Sequence, residues 1–137
     1  MRAGRVRGDA GTVIRCLIVD DSPQFLVAAR RLLERQGIAV VGVASTSAEA
    51  LQRAEELRPD VTLLDINLGI ESGLVLARTM HRSGSDRAPV ILISTHAEED
   101  YADLIAASPA IGFLPKTSLS AGAIRDLLVS PRPSGPG

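Results

Sequence analysis

At 137 residues the chain has the length of one domain with a single substantial core. Apolar residues make up 45% and charged residues 23%, ordinary for a globular protein, while aromatics at 2% leave the core to Leu, Ile, Val and Ala. A formal net charge of −1 gives no electrostatic footprint for nucleic acid, a single Cys16 rules out an internal disulfide, and no apolar run approaches the ~20 residues that span a bilayer.

Arg2, Arg5 and Arg7 open the chain without an apolar segment behind them, so residues 1–13 read as a disordered leader and not as a signal peptide. A first strand is expected over 15–20 (RCLIVD). Ser22 can then cap a helix with Pro23 at its first position; Phe25, Ala28, Ala29, Leu32 and Leu33 share one face, and Gly37 ends it. The second strand covers 38–44 (IAVVGVA). Thr46-Ser47-Ala48-Glu49 matches a capping box ahead of Ala50, Ala54 and Leu57, with Pro59 past the stop. The third strand, 60–65 (DVTLLD), leads to a helix in which Ser72 precedes Leu74, Leu76, Ala77 and Met80. A fourth strand at 89–94 (PVILIS) precedes a helix over 98–107, whose acidic first turn is Glu98-Glu99-Asp100. A fifth strand at 110–115 (AIGFLP) precedes a last helix over 118–129, with Ile124, Leu127 and Leu128 inward. Residues 130–137, rich in Pro, Gly and Ser, read as a disordered tail.

Four of the five strands are almost continuously apolar and rich in β-branched residues, as strands buried on both faces of a parallel sheet must be. Five βα units of this length predict an α/β fold over 14–129: a flavodoxin-like, doubly wound (βα)5 sandwich with strand order 2-1-3-4-5. Its switch point falls between strands 1 and 3, where such sheets bind ligands at their C-terminal edge.

Asp20 and Asp21 stand at the end of strand 1 and Asp65 at the end of strand 3, so three carboxylates converge on that crevice. Two unit charges 4 Å apart repel by about 4 kcal/mol at an effective dielectric near 20. Together they call for a raised pKa or a cation, and a carboxylate set suits a hard ion such as Mg²⁺. Asp21 alone reads equally well as a residue of the helix start beside Ser22-Pro23. Ser94-Thr95 closes strand 4 and Lys116 follows strand 5. Singly these read as a helix cap and a solvated charge; together they would flank an anionic group, such as a phosphoryl group added to Asp65.

The set VDD (19–21), LLDINL (63–68), ILIST (91–95) and FLPK (113–116) resembles the receiver domain of bacterial two-component response regulators, over residues 14–129. The resemblance implies that Asp65 is the phosphoacceptor and that Asp20, Asp21, Asp65 and the backbone carbonyl of Asn67 hold Mg²⁺. It implies that Ser94 turns toward the phosphoryl group, that Phe113 is an aromatic rotamer switch and that Lys116 is the phosphate partner. A histidine kinase would be the donor, and the face of helix 4, strand 5 and helix 5 would change partners. Asn67 and His96 occupy positions that tune water attack on the phosphoryl group in that family; His96 reads equally well as a loop residue without a role. His81 reads as a surface residue near a helix end.

Three positions depart from the family pattern. Gly69 stands where many receivers have Pro, which predicts a looser loop. Thr95 replaces a small residue and could restrict access to Asp65. Pro115 precedes Lys116 where a Pro usually follows it, which leaves the peptide geometry there open. The reading is a stand-alone cytoplasmic receiver that catalyses only its own phosphorylation and dephosphorylation. It would signal to an unknown protein target, with no membrane or DNA binding and with room for a phosphorylation-linked homodimer. The alternatives are a phosphorylation-independent receiver-like module and a Mg²⁺-dependent aspartyl-phosphate phosphohydrolase, which would normally carry D-x-D-x-T where this chain has DINLG.

Overall fold

The computed structural model describes residues 13–82, 88–95 and 101–130. The predicted leader and tail lie almost wholly outside them, as do His96 and the Glu98-Glu99-Asp100 turn. The elements run β1 (Arg15–Val19), α1 (Pro23–Arg35), β2 (Ala39–Ala44), α2 (Ser47–Leu57), β3 (Val61–Asp65), β4 (Asn67–Leu68), β5 (Glu71–Ser72), α3 (Gly73–Arg82), β6 (Val90–Ser94), α4 (Ala102–Ala106), β7 (Gly112–Pro115) and α5 (Ala121–Val129), with a 3-10 turn at Lys116–Ser118. The main sheet is wholly parallel, in the order β2-β1-β3-β6-β7. The hairpin β4–β5 takes two labels, so this is the expected order 2-1-3-4-5. The flavodoxin-like fold is present.

Alternation along the strands sorts the core into two layers. Cys16, Ile18, Val61, Leu63, Ile91 and Ile93 cluster with Ala29 and Leu33 of α1 and Ile124 and Leu127 of α5. Leu17, Val19, Leu64, Leu92 and Phe113 cluster with Ala50 of α2, Leu76, Ala77 and Met80 of α3 and Ile105 of α4. Each fully buried Leu or Ile is worth about 1.5–3 kcal/mol. Packed between helices on both faces, the sheet has a rigid edge from which side chains can be aimed.

The helix starts follow the hydroxyl caps. Ser22 Oγ accepts from the Phe25 N–H, Thr46 Oγ1 from Glu49, and Ser120 Oγ from Ala123. Three details differ from the sequence reading. Ala28 is exposed, so the buried stripe of α1 is narrower than its period suggests. Glu49 returns not to Thr46 but to Ser45, accepting its N–H at 2.9 Å and its hydroxyl at 3.2 Å. The last helix starts at Ala121 because Ser120 is its cap, and Gln36 Oε1 of the α1 end accepts the Ala121 N–H at 2.6 Å. The hairpin β4–β5 was not anticipated. Its two-residue turn puts Gly69 at φ +61, a left-handed conformation that glycine adopts without strain.

Candidate functional site

Register carries the site. Val19 pairs with Leu64, so Asp20, the next residue, comes level with Asp65 at the switch point between β1 and β3. Asp65 pairs with Ile93, which sets Ser94 one step further along the edge, and Ser94 pairs with Pro115, directly before Lys116. Four neighbouring strands of the sheet thus deliver Asp20, Asp65, Ser94 and Lys116 to one rim.

Asp20 is fully buried. Its Oδ1 accepts the Ser22 N–H at 2.9 Å, and Lys116 Nζ lies 2.6 Å from its Oδ2. That second oxygen receives no hydrogen bond of good angle, so the lysine answers it by charge alone. Asp65 is 6% exposed; its Oδ1 accepts the Asn67 N–H at 3.1 Å and its Oδ2 lies 3.3 Å from Lys116 Nζ. Asp21 is exposed at the mouth. The cap of α1 is Ser22, which leaves Asp21 available to the crevice. One carboxylate oxygen from each of Asp20, Asp21 and Asp65 falls within 4.8 Å of the others. These oxygens, with Asp20 Oδ2 buried and lacking an aligned donor, fit a small hard cation.

Burial pushes the Asp65 carboxyl up to about 6; the Asn67 N–H opposes the rise, the charge of Asp20 adds to it, and Lys116 opposes it. Burial works against the Lys116 charge, yet the close pairing with Asp20 and the charge of Asp65 prevail, and its pKa stands raised. Lys116 is an ammonium here.

Ser94 is buried and Thr95 exposed, so the rim turns the serine inward and the threonine out. Phe113 is buried in the α3–α4 layer. No described peptide bond is cis, Leu114–Pro115 included. Gly69 lies close to the mouth: a Cβ there would sit 3.4 Å from Asp21 Oδ2. His81 is exposed in the last turn of α3, as expected.

The sequence reading missed three participants. Phe25, assigned to the inward stripe of α1, has its ring centroid 4.3 Å from Lys116 Nζ. Tyr101, at the start of α4, accepts a hydrogen bond from Asn67 Nδ2 at 3.2 Å. Glu71 in the hairpin accepts the Ser47 N–H at 2.8 Å and ties the Asp65 loop to α2. One signal was visible in advance: Lys116 is the only lysine in the chain, every other Lys/Arg position being arginine.

Comparison with known proteins gives a consistent answer. Residues 16–128 match the response regulator receiver domain. A protein-glutamate methylesterase/protein-glutamine glutaminase of Methanosarcina mazei is 33% identical over 109 residues, which are 77% of this chain and 30% of that protein. The response regulator GacA of Pseudomonas viridiflava is 32% identical over 105 residues, 76% of this chain and 49% of GacA. The chain therefore spans less than half the length of these relatives. A LuxR-family two-component response regulator from Aurantimonas sp. SI85-9A1 superposes with a TM-score of 0.78 at 29% identity, covering 91% of each chain. The matched span runs from β1 into α5 and takes in every rim residue just described, and on it the chain belongs to the response regulator receiver domain family.

Proposed function

We propose that the chain is a phosphorylation switch in which Asp65 accepts a phosphoryl group from a histidine kinase in a Mg²⁺-dependent reaction. The observation that carries this reading is the bridge of Lys116 between Asp20 Oδ2 and Asp65 Oδ2, beside three convergent carboxylates. The Asp65 carboxylate attacks phosphorus, the donor's bond to phosphorus breaks, and an acyl phosphate forms while the donor leaves with the electron pair. At pH 7 Asp65, titrating at about 6, is mostly ionised and more basic than an ordinary aspartate, which favours attack. Lys116 lies where the transferred oxygens would gather charge. Asp20, Asp21, Asp65 and the Asn67 carbonyl would hold Mg²⁺, which supplies charge neutralisation for phosphoryl transfer when bound.

Ser94, at the next position of the rim, would turn its hydroxyl to the phosphoryl group, with Phe113 following in the α4 layer. The α4–β7–α5 face would then change its partners. The Asn67–Tyr101 hydrogen bond supports a link from the acceptor loop to α4. Asn67, Thr95 and His96 would set how fast water removes the group. The chain would catalyse no reaction beyond gaining and losing this group. Among the described residues no helix is long and apolar enough to cross a membrane. The switch would work in the cytoplasm. The target is a protein, and a phosphorylation-linked homodimer is compatible with the same face.

Incubation with acetyl phosphate and Mg²⁺, read by intact mass, tests the reading. A gain of one phosphoryl group that needs Mg²⁺ and is lost in Asp65→Asn is expected. No gain, together with no beryllofluoride complex, overturns it in favour of a phosphorylation-independent module.

A further inference from the structure

Lys116 is hemmed in on three sides. Two are the carboxylates of Asp20 and Asp65, at 2.6 Å and 3.3 Å; the third is the face of Phe25, 4.3 Å from the ammonium. An aromatic face at that distance attracts a cation through its quadrupole, more strongly as water is excluded, and the lysine side chain is only 13% exposed. The ring is itself held by the site. Asp20 Oδ1 accepts the Ser22 N–H at 2.9 Å, Ser22 Oγ accepts the Phe25 N–H at 3.3 Å, and the Phe25 ring meets the lysine that returns to Asp20. The contacts close a loop through the first turn of α1.

We infer that Phe25 is a positioning residue that acts through Lys116 in phosphoryl transfer to Asp65, an inference that rests on the function proposed above. The two carboxylates that hold the ammonium are also the groups that a cation and a phosphoryl group would occupy. Once they are occupied, their pull on Lys116 weakens. The attraction of the ring does not depend on them, so the ring keeps the ammonium at the rim when it is needed by the transferred oxygens. A leucine in its place would keep the apolar volume and lose the quadrupole; a tyrosine would keep both.

The test uses the full chain with isotope-labelled lysine. Because there is one lysine, the ε-CH₂ group gives one set of NMR signals, and each reports on Lys116. In the wild type these protons are expected upfield of a free lysine, displaced by the ring current of Phe25. Phe25→Leu should move them to the free position and slow acetyl phosphate-driven phosphorylation about three- to tenfold, while Phe25→Tyr keeps both the shift and the rate. A loss of rate in Phe25→Leu that Phe25→Tyr fails to restore overturns the inference, since packing alone would then account for it. The wild-type shift needs no variant: unshifted signals with normal phosphorylation overturn the role of Phe25 and leave the proposed function standing. Ring-shifted signals in a protein that takes up no phosphoryl group overturn the proposed function, and the role of Phe25 in it falls too.

Discussion

Asp65 concentrates the conflict of the site in one group. Its folded-state pKa of about 6 stands above the ordinary 3.8, with burial the largest cause. A carboxyl raised in this way binds its proton more tightly folded than unfolded. It therefore adds stability below pH 4 and loses that contribution as pH rises through 6. A shift of two units corresponds to about 3 kcal/mol at full weight, and the open mouth of the site reduces this to about 1–2 kcal/mol. In metal-free buffer Asp65→Asn should therefore unfold at a higher temperature than the wild type at pH 7.5, and the difference should vanish by pH 4. A difference that holds constant across this range, followed by calorimetry, would assign the gain to something other than the buried charge. Cys16 is the contrasting residue: burial pushes its thiol up to about 12, so it behaves as a small core hydrophobe without thiolate chemistry.

At the scale of elements, the tightest constraint lies where α3 leaves the acceptor loop. The Gly73 N–H donates to the Ile66 carbonyl at 2.7 Å, and a Cβ on Gly73 would fall 1.9 Å from the Asp65 carbonyl oxygen. Backbone cannot yield as a flexible side-chain end can, so Gly73→Ala must push α3 away from the end of β3. The expected cost is about 2–3 kcal/mol, with slower phosphorylation of the population that still folds. Urea titration and the acetyl phosphate assay read the two effects, and a variant of wild-type stability would show that α3 is not seated against Asp65. The sequence offered no warning of this contact, because Gly73 looks like an ordinary residue at a helix start. Strands such as VTLLD and VILIS were legible since continuous burial leaves a continuous apolar run, and that legibility carried Asp20, Asp65, Ser94 and Lys116 to the rim by strand order alone. The pair β4–β5 was not, since two residues per strand hold no period. Nor could the period of α1 tell that Phe25 meets Lys116, a neighbour supplied by the far edge of the sheet. The sequence placed the last helix over 118–129, three residues early, because its true start depends on Ser120 as cap and on Gln36 of another helix accepting the Ala121 N–H.

Across the whole molecule, an apolar sandwich holds in place an acidic edge that opposes folding. Packing in both layers does not depend on ions, whereas the edge does, so stability should respond to a cation held jointly by Asp20, Asp21 and Asp65. A cation that binds these oxygens when the chain is folded, and finds no such array when it is unfolded, stabilises by RT ln(1 + [L]/Kd), about 1.4 kcal/mol at ten times Kd. Mg²⁺ should therefore raise the melting temperature above that of a NaCl control of equal ionic strength, by an amount fixed by the Kd from an independent calorimetric titration. Asp21 separates this linkage from general screening. Its side chain is exposed at the mouth, so Asp21→Asn should leave metal-free stability within about 0.5 kcal/mol of wild type. The same variant should lose most of the Mg²⁺-induced gain, because one of three convergent oxygens has lost its charge. If Asp21→Asn gained as much from Mg²⁺ as the wild type, the ion would be acting on the protein's charge at large, and the three carboxylates would not form a binding site.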